Sequence, residues 1–89
     1  MITLLINLCA SKGQVNVDAQ NDATPVDETF TFKVGPQTVV VGPAHFDAND
    51  FKTVTGAHGQ GGVQFVSVST QPSGKSKSGR LDIDAGQCC

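Results

Sequence analysis

Thr29-Phe30-Thr31-Phe32-Lys33-Val34, then Gly35-Pro36, then Gln37-Thr38-Val39-Val40-Val41 and Gly42-Pro43: this stretch decides the fold. Phe30, Phe32 and Val34 alternate with Thr29, Thr31 and Lys33, the period-two pattern of a strand with one buried face. Val39-Val40-Val41 is a β-branched run and suits a strand covered on both faces. Between them Gly35-Pro36 reads as a tight hairpin connection, because proline has no N–H to give to a ladder. Gly42-Pro43 is expected to end the valine strand.

The same alternation extends outward in both directions. On the N-terminal side Ile2, Leu4, Ile6 and Leu8 alternate with Thr3, Leu5 and Asn7, and Val15 and Val17 alternate with Asn16 and Asp18. Residues 18–28 are polar and acidic and read as a long connection. On the C-terminal side residues 51–55 and 63–69 are two further strand candidates. Leu81, Ile83 and Ala85 alternate with Asp82 and Asp84. Four glycines within residues 56–62 mark one loop, and the Pro/Ser/Gly/Lys stretch 72–79 marks another. Six or seven short strands, separated by turn signals, predict an all-β fold: a small antiparallel β-sandwich or barrel. At most one short helical turn fits, near residues 43–51, with Asp47 as its cap or as a plain turn residue. Residues 1–89 form one domain, with 1–9 and 86–89 as candidate terminal arms.

Eighty-nine residues give a modest core. With five Phe and neither Trp nor Tyr, the large core residues are expected to be Phe30, Phe32, Phe46, Phe51 and Phe65. A formal net charge of −2 creates no field that would recruit DNA or an anionic membrane. The sequence therefore predicts no nucleic-acid and no membrane partner. No apolar run reaches the length of about 18–20 residues that a membrane helix needs. The first ten residues lack the basic region of a signal peptide, and Asn7 interrupts their apolar stretch, so no cleaved signal is expected.

All three cysteines lie near the chain's ends, at Cys9, Cys88 and Cys89. Adjacent cysteines seldom bridge each other, because the geometry is strained. Cys9 with Cys88 or Cys89 is therefore the candidate internal disulfide. It would close a loop of about 80 residues, worth about 4 kcal/mol in the chain-entropy account. The odd thiol could link subunits, and a reducing compartment would leave all three free.

No residue set completes a recognisable chemistry. Ser73-Gly74-Lys75-Ser76 lacks the upstream glycine and the following helix of a phosphate-binding loop. His45 and His58 are the only histidines, and Asp47, Asn49 and Asp50 form an incomplete oxygen set for a cation. Asp82 and Asp84 imitate a carboxylate pair on one strand face. The sequence thus predicts no catalytic residues, no metal site, no cofactor and no enzyme. Lys75, Lys77 and Arg80 read as a basic loop able to dock on an acidic partner surface. Sugar-binding β modules use exposed aromatic platforms, and with no Trp or Tyr none is expected here.

Thr29, Thr31, Gln37, Thr38, Thr53, Thr55, Gln64, Ser67 and Ser69 leave the strand surfaces nearly uncharged. Monomeric β proteins protect their edges with charge, proline or bulges, so such a surface suits contact with another subunit. The expected function is a non-enzymatic structural protein that oligomerises and docks on a larger assembly. A virion capsid decoration (cement) protein or an extracellular filament subunit would be of this kind, located on the virion or extracellular surface. Ile2, Leu4, Ile6 and Leu8 would form a docking arm that adds a strand to a neighbour's sheet. The alternative is a small monomeric binding module for a ligand or peptide, using the Gly-rich and Lys-rich loops.

Overall fold

A computed structural model describes residues 1–5 and 8–86 as two antiparallel sheets, without a helix. The strands are β1 (Ile2–Leu4), β2 (Cys9–Ser11), β3 (Gln14–Asn21), β4 (Val26–Val34), β5 (Gln37–Phe46), β6 (Phe51–Ala57), β7 (Val63–Gln71) and β8 (Ser76–Asp82). In the first sheet β1 and β2 lie end to end along one edge of β3, and β6 pairs with the other edge. The second sheet has the order β5-β4-β7-β8. The two sheets stack as a small sandwich, with β5 against β6 and β2 against β8 along its sides.

The β4–β5 hairpin forms where its alternation places it. Val34 pairs with Gln37, leaving Gly35-Pro36 as a two-residue turn. Gly35 has φ +58°, and the proline ring fixes the next φ near −65°. This sign sequence is that of a type II′ turn, whose twist matches the flanking strands. Phe30, Phe32 and Val34 point inward and are fully buried. They meet Val66 and Val68 of β7 in their own sheet, and Val15, Val17, Ala19 and Val54 from the sheet opposite. Phe46 joins them, its ring 6.0 Å from that of Phe30 and tilted by 40°.

The first apolar segment is two short strands rather than one, which brings the total to eight. Leu4 pairs with Ala19 and Cys9 with Asn16. Ile2, Leu8 and Ala10 all reach the core.

Several expectations need correction. β5 does not stop at Gly42-Pro43 but continues to Phe46, so residues 43–46 are strand, and Asp47 lies in a turn. The register jumps from Phe30↔Val41 to Glu28↔Ala44, so Gly42 and Pro43 together face Thr29 as a bulge. The bulge leaves the proline outside the ladder, where its missing N–H costs nothing. The acidic connection shrinks to residues 22–25, because β3 runs to Asn21 and β4 starts at Val26. Its polar residues disguised a strand whose exposed face carries Asp18 and Gln20. Similarly, residues 76–79 are the start of β8 rather than loop. Asp84 lies in a turn beyond β8, so it shares no strand face with Asp82. Val40 is 63% exposed, so the valine strand is covered on one face only. Phe51 and Phe65 are outside the core, at 54% and 60% exposure. Each takes the outward parity of a strand whose inward residues are smaller: Val54 on β6, and Val66 and Val68 on β7.

Candidate functional site

Polar side chains gather at the end of the sandwich where β4 starts and β5 stops. The bulge turns His45 to the outer face, directly across from Asp27. His45 Nδ1 lies 2.6 Å from Asp27 Oδ1, and Nε2 lies 2.8 Å from Asp47 Oδ1. A neutral imidazole carries one N–H, so only the imidazolium can donate to both carboxylates at once. The hydrogen bond to Asp27, then that to Asp47, raises the His45 pKa above its ordinary 6.5. The clip joins β4, β5 and the following turn, where Asp47 N donates to Asp50 Oδ2 at 2.8 Å. Lys52 Nζ, from β6, donates to His45 O at 2.5 Å and sits 5.3 Å from the Phe46 ring centre.

A stability effect with a defined sign follows. The folded His45 binds its proton more tightly than the unfolded chain does. Its contribution is therefore complete below pH 6.5 and disappears as the pH rises through the raised folded value. The melting temperature of the native protein should fall, relative to that of His45→Gln, as the pH rises above 6.5. Parallel melts of the two proteins check this, and a difference that does not change with pH refutes it.

Behind the clip the inward face of β4 carries Glu28, fully buried. Its Oε2 accepts from Ser73 N and its Oε1 from Ser73 Oγ, each at 2.9 Å. Ser73 Oγ in turn accepts from Ile2 N at 2.9 Å. One carboxyl group thus ties β1 and β4 to the β7–β8 turn. Asn21, only 2% exposed, makes a second tie: its Nδ2 donates to Thr24 O at 2.7 Å and to Asp47 O at 3.1 Å.

At the opposite end His58 is buried and structural. Its Nδ1 accepts from Gln60 N at 3.0 Å, which leaves the proton on Nε2. Nε2 then donates to Ser11 O at 2.8 Å and to Gln14 O at 3.2 Å. Gln37 Oε1 accepts from Gly59 N at 2.8 Å. These bonds pin the glycine-rich loop to the β2–β3 hairpin and to β5.

Two surface cavities stand out. One of about 290 Å³ is lined by Thr3, Leu5, Gln20, Asn21, Asp22 and Asn49. The other, about 220 Å³, lies between Leu8 and Lys77, Ser78, Gly79 and Leu81 of β8.

The residues singled out in the sequence fall as follows. Ile2 and Leu8 are buried in the chain's own core, Leu4 is half-buried, and Ile6 lies outside the described residues. Cys9 is buried and disulfide-bonded, whereas Cys88 and Cys89 lie outside the described residues. Lys75, Lys77 and Arg80 do not form one loop. Lys75 is in the β7–β8 turn, Lys77 pairs with Val68 on the inward side of β8, and Arg80 pairs with Phe65 on the outward side. Among the described residues no cluster of three or more His, Cys, Asp or Glu is arranged to hold a metal ion. Of the proposed oxygen set, Asp47 faces His45 and Asp50 accepts from the Asp47 backbone. Sequence reasoning missed Glu28, Ser73 and Asn21. No family model matches the chain, and neither the curated proteins nor the solved structures contain a significant match.

Proposed function

We propose that the chain is a non-enzymatic structural module that binds neighbouring subunits through the outer face of its second sheet. The observation that carries this reading is the pair Val63 and Phe65, each 60% exposed on the outward side of β7. Beside them on β7 stand Ser67 and Ser69, with Thr31 and Lys33 across on β4, while Asp82 and Arg80 of β8 pair with Val63 and Phe65 and supply one charge of each sign along that edge. An exposed apolar pair bordered by polar residues and by charges of both signs has the make-up of an interface core with its rim. A virion decoration protein and an extracellular filament subunit are the two kinds of assembly partner for which such a rigid module is suited. An N-terminal arm that paired with a neighbour would first have to withdraw Ile2 and Leu8 from this core. Docking through the sheet face makes no such demand.

Sedimentation equilibrium tests the proposal. The native protein should form dimers or larger species as its concentration rises. Phe65→Lys should remain monomeric with an unchanged fold, because its side chain already points to solvent. A native protein that stays monomeric at high concentration would favour the alternative, a small ligand- or peptide-binding module. The cavity between Leu8 and the β8 segment around Lys77 supports that second reading.

A further inference from the structure

We propose that the depression on the outer face of the first sheet is a binding site for a neutral, hydroxyl-rich ligand, a single sugar unit. This goes beyond the assembly role and uses a different face of the molecule. The register sets Thr3, Gln20 and Phe51 in one row across β1, β3 and β6. All three are exposed, with the inward positions held by Ile2, Ala19 and Val54. Side chains in such a row stand about 5 Å apart, which sets Phe51 next to Gln20. Phe51, 54% exposed, does not line the depression itself but stands beside Gln20, which does, so its ring is the aromatic surface at the margin of the site.

The polar groups suit hydroxyls. The side chains of Thr3, Gln20 and Asn49 make no hydrogen bond to another described residue. Each offers both a donor and an acceptor, as a ring of vicinal hydroxyls requires. The charges suit a neutral ligand. No lysine or arginine lines the depression, and the carboxylate of Asp22 already accepts from Thr24 N and the Met1 ammonium, each at 3.0 Å. Leu5 supplies an apolar wall. The opposite wall is built in advance: Asn49 N donates to Asp22 O at 2.9 Å, and the buried Asn21 amide holds Asp47 O. A wall already in place lowers the ordering cost of binding. A volume of about 290 Å³ lies at the lower bound of small-ligand sites, which selects one ring over an extended chain.

The test is a titration of the nitrogen-labelled full chain with methyl glucoside, methyl galactoside and N-acetylglucosamine, followed in proton–nitrogen correlation spectra. At least one sugar should move the side-chain amide signals of Gln20 and Asn49 saturably, with a dissociation constant on the order of 1 mM. Phe51→Ala should keep the native spectrum and weaken that binding about tenfold, the scale of a lost aromatic contact. Inorganic phosphate should leave both amide signals in place. The proposal is overturned if no sugar moves them saturably, if phosphate does, or if Phe51→Ala binds as the native protein does.

Discussion

Ser73→Ala should destabilise the protein by about 3 kcal/mol, far more than a hydroxyl-to-hydrogen change at a turn ordinarily does. Ser73 is only partly buried, but its Oγ serves two buried partners at once: it donates to Glu28 Oε1 and accepts from Ile2 N. Removing it leaves Glu28 Oε1 and Ile2 N without a partner, although the backbone N of residue 73 still donates to Glu28 Oε2, in a fold where every buried side-chain N or O among the described residues now has one. A stranded buried polar group costs about 1–3 kcal/mol, and two are stranded here. For a domain of this size the loss corresponds to a melting-temperature drop of about 12–24 °C. Glu28→Ala should cost at least as much, because Ser73 N and Ser73 Oγ both lose their acceptor. The double variant Glu28→Ala/Ser73→Ala should be less destabilised than the sum of the two singles, since the groups act as one unit. Urea unfolding of the three variants measures the coupling. A Ser73→Ala cost below about 1 kcal/mol would show that water replaces the hydroxyl and that the tie is weak.

The contrast between Phe32 and Phe65 shows how far the sequence could be read. Phe32 sits among threonines and a lysine, so its parity was unambiguous and its burial legible. Phe65 sits in Val63-Gln64-Phe65-Val66, where apolar residues occupy both parities. Only the run Val66, Val68, Thr70 identifies the inward side there, and size alone pointed to the wrong residue. Glu28 and Asn21 were invisible for the opposite reason. Both occupy inward positions, but a period-two search looks for apolar residues, so the ends of β3 and β4 that carry them read as loop. The His45 clip required still more. His45 and Asp27 are distant in sequence, and they meet only because a bulge shifts the register by one residue. Hydrophobic patterning reports which face is dry. It does not report insertions within a strand, and the polar site depends on such an insertion.

That insertion is the most exacting position in the chain, and Gly42→Ala should cost about 3–4 kcal/mol. Gly42 has φ +113°, a conformation that a side chain disfavours. A Cβ there would lie 2.8 Å from Glu28 O and 2.9 Å from Ala44 N. Both obstacles are backbone atoms held in the β4–β5 ladder, so neither can swing aside as a side-chain end could. Relief would require expelling the bulge, and that is costly in a specific way. Before the bulge the inward residues of β5 are Val39 and Val41; after it they are Ala44 and Phe46. Without the extra residue the strand beyond would turn over, sending Phe46 to solvent and His45 inward, away from Asp27. The variant must therefore either bear the strain or exchange a buried phenylalanine for a histidine. If Gly42→Ala melts within a few degrees of the native protein, the bulge yields and cannot be what fixes parity. If it is destabilised as expected, the His45 titration separates the two remaining outcomes. A strained but intact bulge keeps the imidazole pKa raised, whereas a flipped strand returns the ring to an ordinary value or buries it.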